Sequence, residues 1–371
     1  MSHLGYIEKL LDGVEVEWKE LGDVATLQRG RVMSKGYLNE NPGKYPVYSS
    51  QTANNGKIGS IDTFDFEGEY VNWTTDGANA GTVFYRTGKF SITNVSGLIK
   101  INDTLNLNYK YLFYWLSTEA KKHVYSGMGN PKLMSNQVAK IPIPIPPIRI
   151  QTEIVRILDT FTELTAELTA ELTARQQQYA YYREQLLTFE EGEVEWKELG
   201  EVCESISSGK NKIKSELGLF PVFGSTGIIG RTDTKVYEKE QILVARVGAN
   251  AGRVNIAKGE YDVSDNTLIV QNKDSIVLKF LYYYLVYINL NRFTKGAGQP
   301  LLTAGQLKKM LIPTPPLSEQ KRIVSILDKF DALTTSLTEG LPREIELRQQ
   351  QYEYYRDLLL SFPKPEVVAN D

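Results

Sequence analysis

The feature that most constrains this chain is that it is written twice. "VEWKELGDV" (16–24) returns as "VEWKELGEV" (194–202), "DGANAGTV" (76–83) as "VGANAGRV" (247–254), and "YLFYWL" (111–116) as "FLYYYL" (280–285). "GMGNP" (127–131) returns as "GAGQP" (296–300), "IPIPIPP" (141–147) as "MLIPTPP" (310–316), and "RQQQYAYYREQLL" (175–187) as "RQQQYEYYRDLLL" (348–360). Ordered matches at so long a period imply two equivalent folding units related by a pseudo-twofold axis. A further match, "YIEKLLDGVEVEW" (6–18) with "YREQLLTFEEGEVEW" (182–196), makes the pattern cyclic. The chain opens on the end of a helix whose body lies elsewhere, so the chain ends are expected to meet.

Each copy begins with a block rich in Gly, Asn, Val and Tyr. Short alternating runs such as "EYVNWTT" (69–75) and "QILVARV" (241–247) read as strands between tight turns. One helix lies inside each block, at 107–125 and 277–293. A proline-rich hinge follows and forbids helix continuation. A long helix then runs from about Arg149 to Phe189, and its partner from about Ser318 to Phe362. Ile154, Leu158, Phe161, Leu164, Leu168, Leu172, Tyr179, Tyr182 and Leu186 define one apolar stripe, as in a coiled coil. The second helix carries Gly340 and Pro342, which should kink or briefly break it. The first instead carries TAEL twice in tandem, at 165–168 and 169–172. Four residues are close to one turn and add about 6 Å. The repeat changes length without changing chemistry and reads as a spacer.

The expected fold class is therefore α+β: two β-rich domains separated by two long antiparallel helices, with a pseudo-twofold internal repeat and cyclically arranged ends. The expected divisions are 1–148, a first β-rich domain; 149–190, a first long helix; 191–316, a second β-rich domain; 317–362, a second long helix kinked near 340–342; and 363–371, a tail.

Composition narrows the function. No run of eighteen apolar residues exists, so no membrane helix is expected. The first residues lack a basic segment followed by an apolar stretch, which argues against export. Cys203 is the only cysteine, which fits a reducing cytoplasm; with only His3 and His123 besides, a Cys/His zinc site is excluded. The net charge of −3 is unevenly placed. Residues 1–148 hold 15 Lys/Arg against 14 Asp/Glu and residues 191–316 hold 16 against 14, so the acidity sits in the helical parts. That distribution permits DNA contact without demanding it.

No catalytic constellation is legible. There is no GxxxxGK[ST], HExxH or GxSxG. The GANAG segments lack the strand–GxGxxG–helix setting of a dinucleotide loop and read as glycine-permitted turns. "EWK" at 17–19 and 195–197 lacks the acidic partners of a metal nuclease and reads as surface strand. What remains is binding by turns that carry cations and amides, suited to phosphates and to guanine or adenine edges. In the first copy the candidates are Arg29, Arg31, Lys35, Ser50, Gln51, Asn54, Asn55, Lys57, Thr75 and Asn79. In the second they are Lys210, Lys212, Lys214, Arg231, Arg246, Asn250 and Arg253. The frames agree between copies while these turns differ, as two readers of two targets require.

The residues that carry the repeat also carry a family resemblance. The "WKELG" strands, the "IPIPIPP" and "IPTPP" hinges, the helix starts "IQTEIVRILDTF" and "SEQKRIVSILDKF", "RQQQYAYYREQLL" and the tandem TAEL resemble specificity subunits of type I restriction–modification systems, over nearly the whole length. The resemblance implies that two target-recognition domains each read half of a split double-stranded DNA site and that the helices set the gap. It implies partners: two modification subunits, which carry the S-adenosylmethionine chemistry, and restriction subunits, which use ATP and magnesium. The subunit itself is then non-catalytic, without cofactor or metal, cytoplasmic and not membrane-bound. The chain agrees in lacking an adenine-methylase [DN]PP[YFW] tetrapeptide. No family motif fixes which turn residues touch bases. A coiled-coil adaptor with two protein-binding domains would explain the helices but not the unequal turns. A duplicated enzyme would need a constellation that the chain does not carry.

Overall fold

The computed structural model describes residues 11–363 except 128, 213–214, 297 and 337. Lys214, most of the N-terminal helix-tail match and most of the expected tail lie outside the described residues. The chain divides into two compact units, 1–167 with 346–371, and 168–345.

In the first unit, β1 (Glu17–Glu20) leads through a short helical turn into β2 (Ala25–Arg29). Strands β3 (Pro42–Tyr48), β4 (Lys57–Ile61), β5 (Phe66–Thr74), β6 (Val83–Ile92) and β7 (Ser96–Ile101) follow. They form one six-stranded sheet in the order β2-β7-β5-β6-β3-β4. All its pairings are antiparallel except β3 with β6. Helix α1 (Tyr109–Glu119) is started by Asn108, whose side chain accepts from the Lys110 and Tyr111 amides. It buries Tyr111, Leu112, Trp115 and Leu116 against Val71, Trp73 and Ile99 of the sheet. The expected proline hinge is partly a strand: β8 (Pro142–Ile145) pairs antiparallel with β1, Trp18 opposite Pro144. Proline is tolerated because the ribbon has only these two strands, so each has a free edge. Helix α2 (Ile148–Leu187) then runs 40 residues without a break.

The second unit repeats this order with β9 (Glu195–Glu198), β10 (Cys203–Ser208), β11 (Phe220–Gly224), β12 (Gly227–Thr232), β13 (Gln241–Ala245), β14 (Val254–Ala257), β15 (Asp262–Val263) and β16 (Thr267–Asn272). Here the sheet is divided into β10-β16-β13-β14 and β12-β11-β15. Helix α3 (Leu278–Tyr287) matches α1, and β17 (Leu311–Thr314) pairs with β9, Trp196 opposite Pro313. Helix α4 (Leu317–Thr334) ends before α5 (Gly340–Leu359) begins. The expected interruption is thus a complete break. Gly340 has φ +77°, and a Cβ there would lie 2.3 Å from the Ala332 carbonyl oxygen; Pro342 sits in the first turn of the restart.

The long helical segments are shared. In the first unit, Ile154 and Leu158 of α2 share a core with Leu359, Leu360 and Phe362 from the end of α5, and Phe161 stacks on Tyr355. In the second, Ile323 and Leu327 of α4 share a core with Leu187 from the end of α2, and Tyr179 stacks on Phe330. Each unit therefore contains an antiparallel helix pair. The division between units falls between Glu167 and Leu168, inside the first TAEL. The first and last described segments meet: Leu11 is buried in one cluster with Leu359, and the Trp18 indole N–H donates to the Pro363 carbonyl at 3.0 Å.

Across the TAEL region the half-buried positions are 161, 165, 168, 172, 175, 178 and 179, which follow the 4-3 spacing of a coiled-coil seam apart from the adjacent pair 178 and 179. The expected stripe needs correction at two positions: Leu164 is exposed and Thr165 takes its place in the seam, and Tyr182 is also exposed, although its ring still stacks on Phe330. A 3.5-residue period starting at Phe161 falls midway between 164 and 165, so it admits either; the Thr165 hydroxyl is accommodated by donating to the Phe161 carbonyl at 2.8 Å.

Two side chains lock each long helix to its own block. Gln151 is fully buried; its Oε1 accepts from the Asn108 amide at 2.9 Å, and its Nε2 donates to Asn106 O at 2.8 Å and Pro146 O at 2.7 Å. Gln320 does the same, accepting from the Val277 amide at 2.7 Å and donating to Pro315 O at 2.8 Å. Two turns on, Asp159 accepts from Lys110 Nζ at 2.5 Å and Tyr114 OH at 2.7 Å. Asp328 accepts from Lys279 Nζ and Tyr283 OH, both at 2.6 Å. Replacing Gln151 or Gln320 by Leu leaves buried backbone groups unpaired and should cost about 2–4 kcal/mol, read as a shift in the urea midpoint of the corresponding unit. Replacing Asp159 or Asp328 by Asn should cost less, about 1–2 kcal/mol, because those carboxylates keep partial solvent access.

Candidate nucleic-acid interface

In each unit the turns are tied to one another by hydrogen bonds, and most of the candidate residues lie on them. In the first unit the Gly77 amide donates to Pro131 O at 3.0 Å and the Leu133 amide to Thr75 O at 2.9 Å, joining the GANAG turn to the hairpin carrying GMGNP. The Thr75 amide reaches Val95 O at 3.1 Å, the Gly30 amide reaches Ser96 O at 3.3 Å, and Ser49 and Thr93 hydroxyls meet at 2.8 Å. Asn79 Nδ2 donates to Ser50 O at 3.3 Å. The turns near residues 30, 50, 77, 94 and 130 thus form one cluster. The second unit repeats the links: Gly248 amide to Pro300 O, Leu302 amide to Arg246 O, Arg246 amide to Asn266 O, Gly209 amide to Thr267 O and Ser264 amide to Phe223 O.

The GANAG glycines are there for geometry. Gly77, Gly81, Gly248 and Gly252 all have positive φ, and a Cβ on Gly252 would lie 2.4 Å from the Asn291 amide nitrogen.

On this shared scaffold the chemistry changes. In the first unit Arg29, at the end of β2, donates from Nη2 to Thr75 Oγ1 at 3.0 Å and also to the Asn94 carbonyl. Its charge faces Asp76 at 3.7 Å, and Lys132 lies 4.0 Å from the same carboxylate. In the second unit the place of Arg29 is taken by Ser208, that of Thr75 by Arg246, and the backbone bridge Asp76–Lys132 becomes Val247–Leu301. Arg246 nevertheless sends Nη1 to the Asp265 carbonyl at 3.4 Å, the counterpart of Asn94. Both units therefore put a guanidinium at the same corner, delivered from different strands. The first sits in an ion cluster. The second is flanked by apolar residues, and among the described residues no carboxylate lies within ion-pair distance of it.

The second difference is the turn after β3. In the first unit it is a loop closed by the Ser49 amide donating to Gly56 O at 2.9 Å, with Gln51 Nε2 reaching back to Lys57 O at 2.6 Å. Asn54 and Asn55 adopt left-handed conformations, φ +50° and +54°, and are exposed. In the second unit the same connection is a tight hairpin in which Gly224 pairs with Gly227.

Not every sequence candidate is available to a ligand. Thr75 is fully buried, its hydroxyl donating to Asp76 Oδ2 at 2.6 Å while accepting from Arg29, so it positions Arg29 and does not itself face outward. Arg31 is held by Asp65, its Nε 3.0 Å from Oδ2, and lies over the Tyr37 ring at 5.2 Å. Arg231 donates to Gly218 O and Leu219 O, both at 2.7 Å, and so pins a loop. Asn79 and Asn250 are half-buried inside their turns, and Ser50 and Gln51 serve the 49–57 loop. Lys35, Lys57, Lys210, Lys212 and Arg253 are exposed. Asp76 and Lys132 were not legible as site residues, since their meeting depends on a long-range bridge.

Among the described residues no group of three or more His, Cys, Asp or Glu side chains is placed to hold a metal ion. Cys203 is buried, and burial pushes its thiol up to about 12.

The chain matches the model of the type I restriction modification DNA specificity domain twice, over residues 13–175 and 191–347. It is 38% identical to the EcoR124I/EcoR124II specificity subunit of Escherichia coli across all of both chains. It is 33% identical to the EcoprrI specificity subunit, also of Escherichia coli, over 91% of this chain and 93% of that one. Among solved structures it is similar to the S subunit of a type I restriction–modification system from M. genitalium, with TM-score 0.68 and 17% identity over 95% of this chain and 97% of that one, a likeness of fold. A chain made of two turn-bearing β-rich units on shared helices, with both halves matched, belongs to the type I restriction–modification specificity subunit family.

Asn54 and Asn55 give a local test of the loop. Asn54→Val should cost about 1–2 kcal/mol of unfolding free energy, because a β-branched residue is strained at φ +50°, whereas Asn54→Gly should be close to neutral. Urea titration of the two variants separates the outcomes.

Proposed function

We propose that this chain is the DNA-reading, non-catalytic subunit of a type I restriction–modification complex, each unit's turn cluster reading one half of a split double-stranded site. The observation that carries this reading is the pair of clusters with equivalent backbone links and unequal side chains. An equal frame delivers equal reach, and unequal tips deliver different letters. In the first unit Arg29, Asn54, Asn55, Lys57 and Lys35 supply the exposed or semi-exposed polar groups; in the second Arg246, Arg253, Lys210 and Lys212 do. Guanidinium and amide groups suit guanine and adenine edges, and the lysines suit phosphates.

The long helices set the gap between the half-sites and carry the modification subunits. S-adenosylmethionine is then bound by those subunits, and ATP and magnesium by restriction subunits, with this chain contributing neither cofactor nor metal. Among the described residues no helix is long and apolar enough to cross a membrane. The place of action of such a complex is the cytoplasm, where the host DNA is.

Deleting residues 169–172 removes about 6 Å of helix, between one and two base-pair rises of about 3.4 Å. Mapping methylated sites by sequencing should return the same two half-sites around a shorter unspecified gap; altered half-site letters would refute the assignment. Arg246→Ala or Lys57→Ala should weaken DNA binding by about 1–3 kcal/mol if the lost contact is to a base edge. A lost phosphate contact would instead flatten the dependence of affinity on salt, which a titration at several ionic strengths reads directly.

A further inference from the structure

Arg86 on β6 was not among the sequence candidates, and it is 3% exposed. Its guanidinium lies over the Tyr48 ring at 3.6 Å and the Phe84 ring at 4.4 Å. Nη2 donates to the Asn55 carbonyl at 2.7 Å, and Nε lies 3.4 Å from Asn72 Oδ1, also fully buried. Asn72 in turn donates to Gly97 O at 2.8 Å. Burial lowers the Arg86 pKa to about 10, so the group stays cationic at neutral pH. A Cβ on Gly56 would lie 3.0 Å from Arg86 Nη2, so the loop is closed down upon the guanidinium.

Among the described residues no carboxylate pairs with Arg86, and a buried arginine so placed is a cost that an apolar side chain of similar volume would avoid. The second unit avoids it. Its register places Ala257 at the position of Arg86 and Leu243 at that of Asn72, and there the loop is reduced to the Gly224–Gly227 hairpin. Arginine, buried asparagine and left-handed loop occur together in one unit and are absent together from the other.

We propose that Arg86 is a positioning residue for reading one half-site: it grips the Asn55 carbonyl from inside the fold and so fixes the direction in which Asn54 and Asn55 present their amides to DNA. This rests on the DNA-reading role of the turn. Asparagine recognises an adenine edge through two hydrogen bonds of fixed geometry, so small errors of direction are costly. The guanidinium sets that direction through the Asn55 peptide without touching DNA.

The test uses the full chain assembled with its modification subunits and reads the methylated motif by sequencing. Asn54→Ala/Asn55→Ala identifies which half-site the loop serves. Arg86→Ala is then expected to relax the same letters, with discrimination falling about tenfold, while the other half-site and the gap stay unchanged. Arg86→Lys, which keeps the charge and one donor, should restore part of it. Amide exchange at Ser49 and Gly56 should quicken in both variants, with exchange in β5 and β7 unaltered. If the asparagine variant leaves the motif intact, the DNA-reading assignment of the turn falls, and this inference with it. If the asparagine variant changes the motif while Arg86→Ala folds and methylates the original one, only the role of Arg86 is overturned. A loss spread evenly over both half-sites also overturns it. If Arg86→Ala does not fold, Arg86→Lys decides alone: the original motif with unchanged exchange rejects the proposal, and relaxation confined to one half-site supports it.

Discussion

Each long helical segment begins in one unit and ends in the other, and the rest of the architecture depends on that sharing. Ile154 and Leu158 in one unit, and Ile323 and Leu327 in the other, sit in cores that draw residues from both long segments. The far end of the other long segment contributes Leu359, Leu360 and Phe362 to the first core and Leu187 to the second. The buried glutamines make the start of each segment inseparable from its block, since Gln151 and Gln320 satisfy backbone groups on both sides of the junction. The first strand and the end of the last helix lie together for the same reason: the cyclic order needs the last helix to finish where the first strand begins.

With the frame fixed in this way, variation concentrates on the turns. The corner occupied by a guanidinium in both units illustrates how far it can go. Exchanging which segment supplies the arginine, and replacing the Asp76–Lys132 bridge by Val247–Leu301, removes from that corner the carboxylate and the lysine that meet Arg29 in the first unit. The backbone links beneath are kept throughout. Within this one chain, a constant scaffold and changeable tips are physically separate.

The repeat, the alternating strands and the long helices were readable from sequence because each follows a local period. The break near Gly340 was readable because glycine and proline act locally. Leu164 misled the stripe because a three-to-four spacing admits either 164 or 165, and only the partner helix chooses. The turns were found by composition, but their accessibility was not. Thr75, Arg31 and Arg231 look like free polar groups in sequence and are engaged in space, by Arg29 and Asp76, by Asp65, and by Gly218 and Leu219. Arg86 was missed for the converse reason. A basic residue inside an apolar strand gives no sign of whether it ends in solvent or beneath a loop. The paired glutamines carried a usable signal, since "IQTEIV" and "SEQKRIV" keep one amide at the same step of both helix starts.

The unbroken course of α2 has a rotational consequence. Four residues at 3.6 per turn overshoot one full turn by about 40°, so every TAEL copy gained or lost also rotates all later side chains about the helix axis. A seam with 4-3 spacing tolerates such a phase change only if its partner can yield. The other long segment is divided at 335–339 and restarts at a glycine with positive φ, where a few torsions can absorb the slip. A change in the number of TAEL copies is therefore a change of helical phase as well as of length.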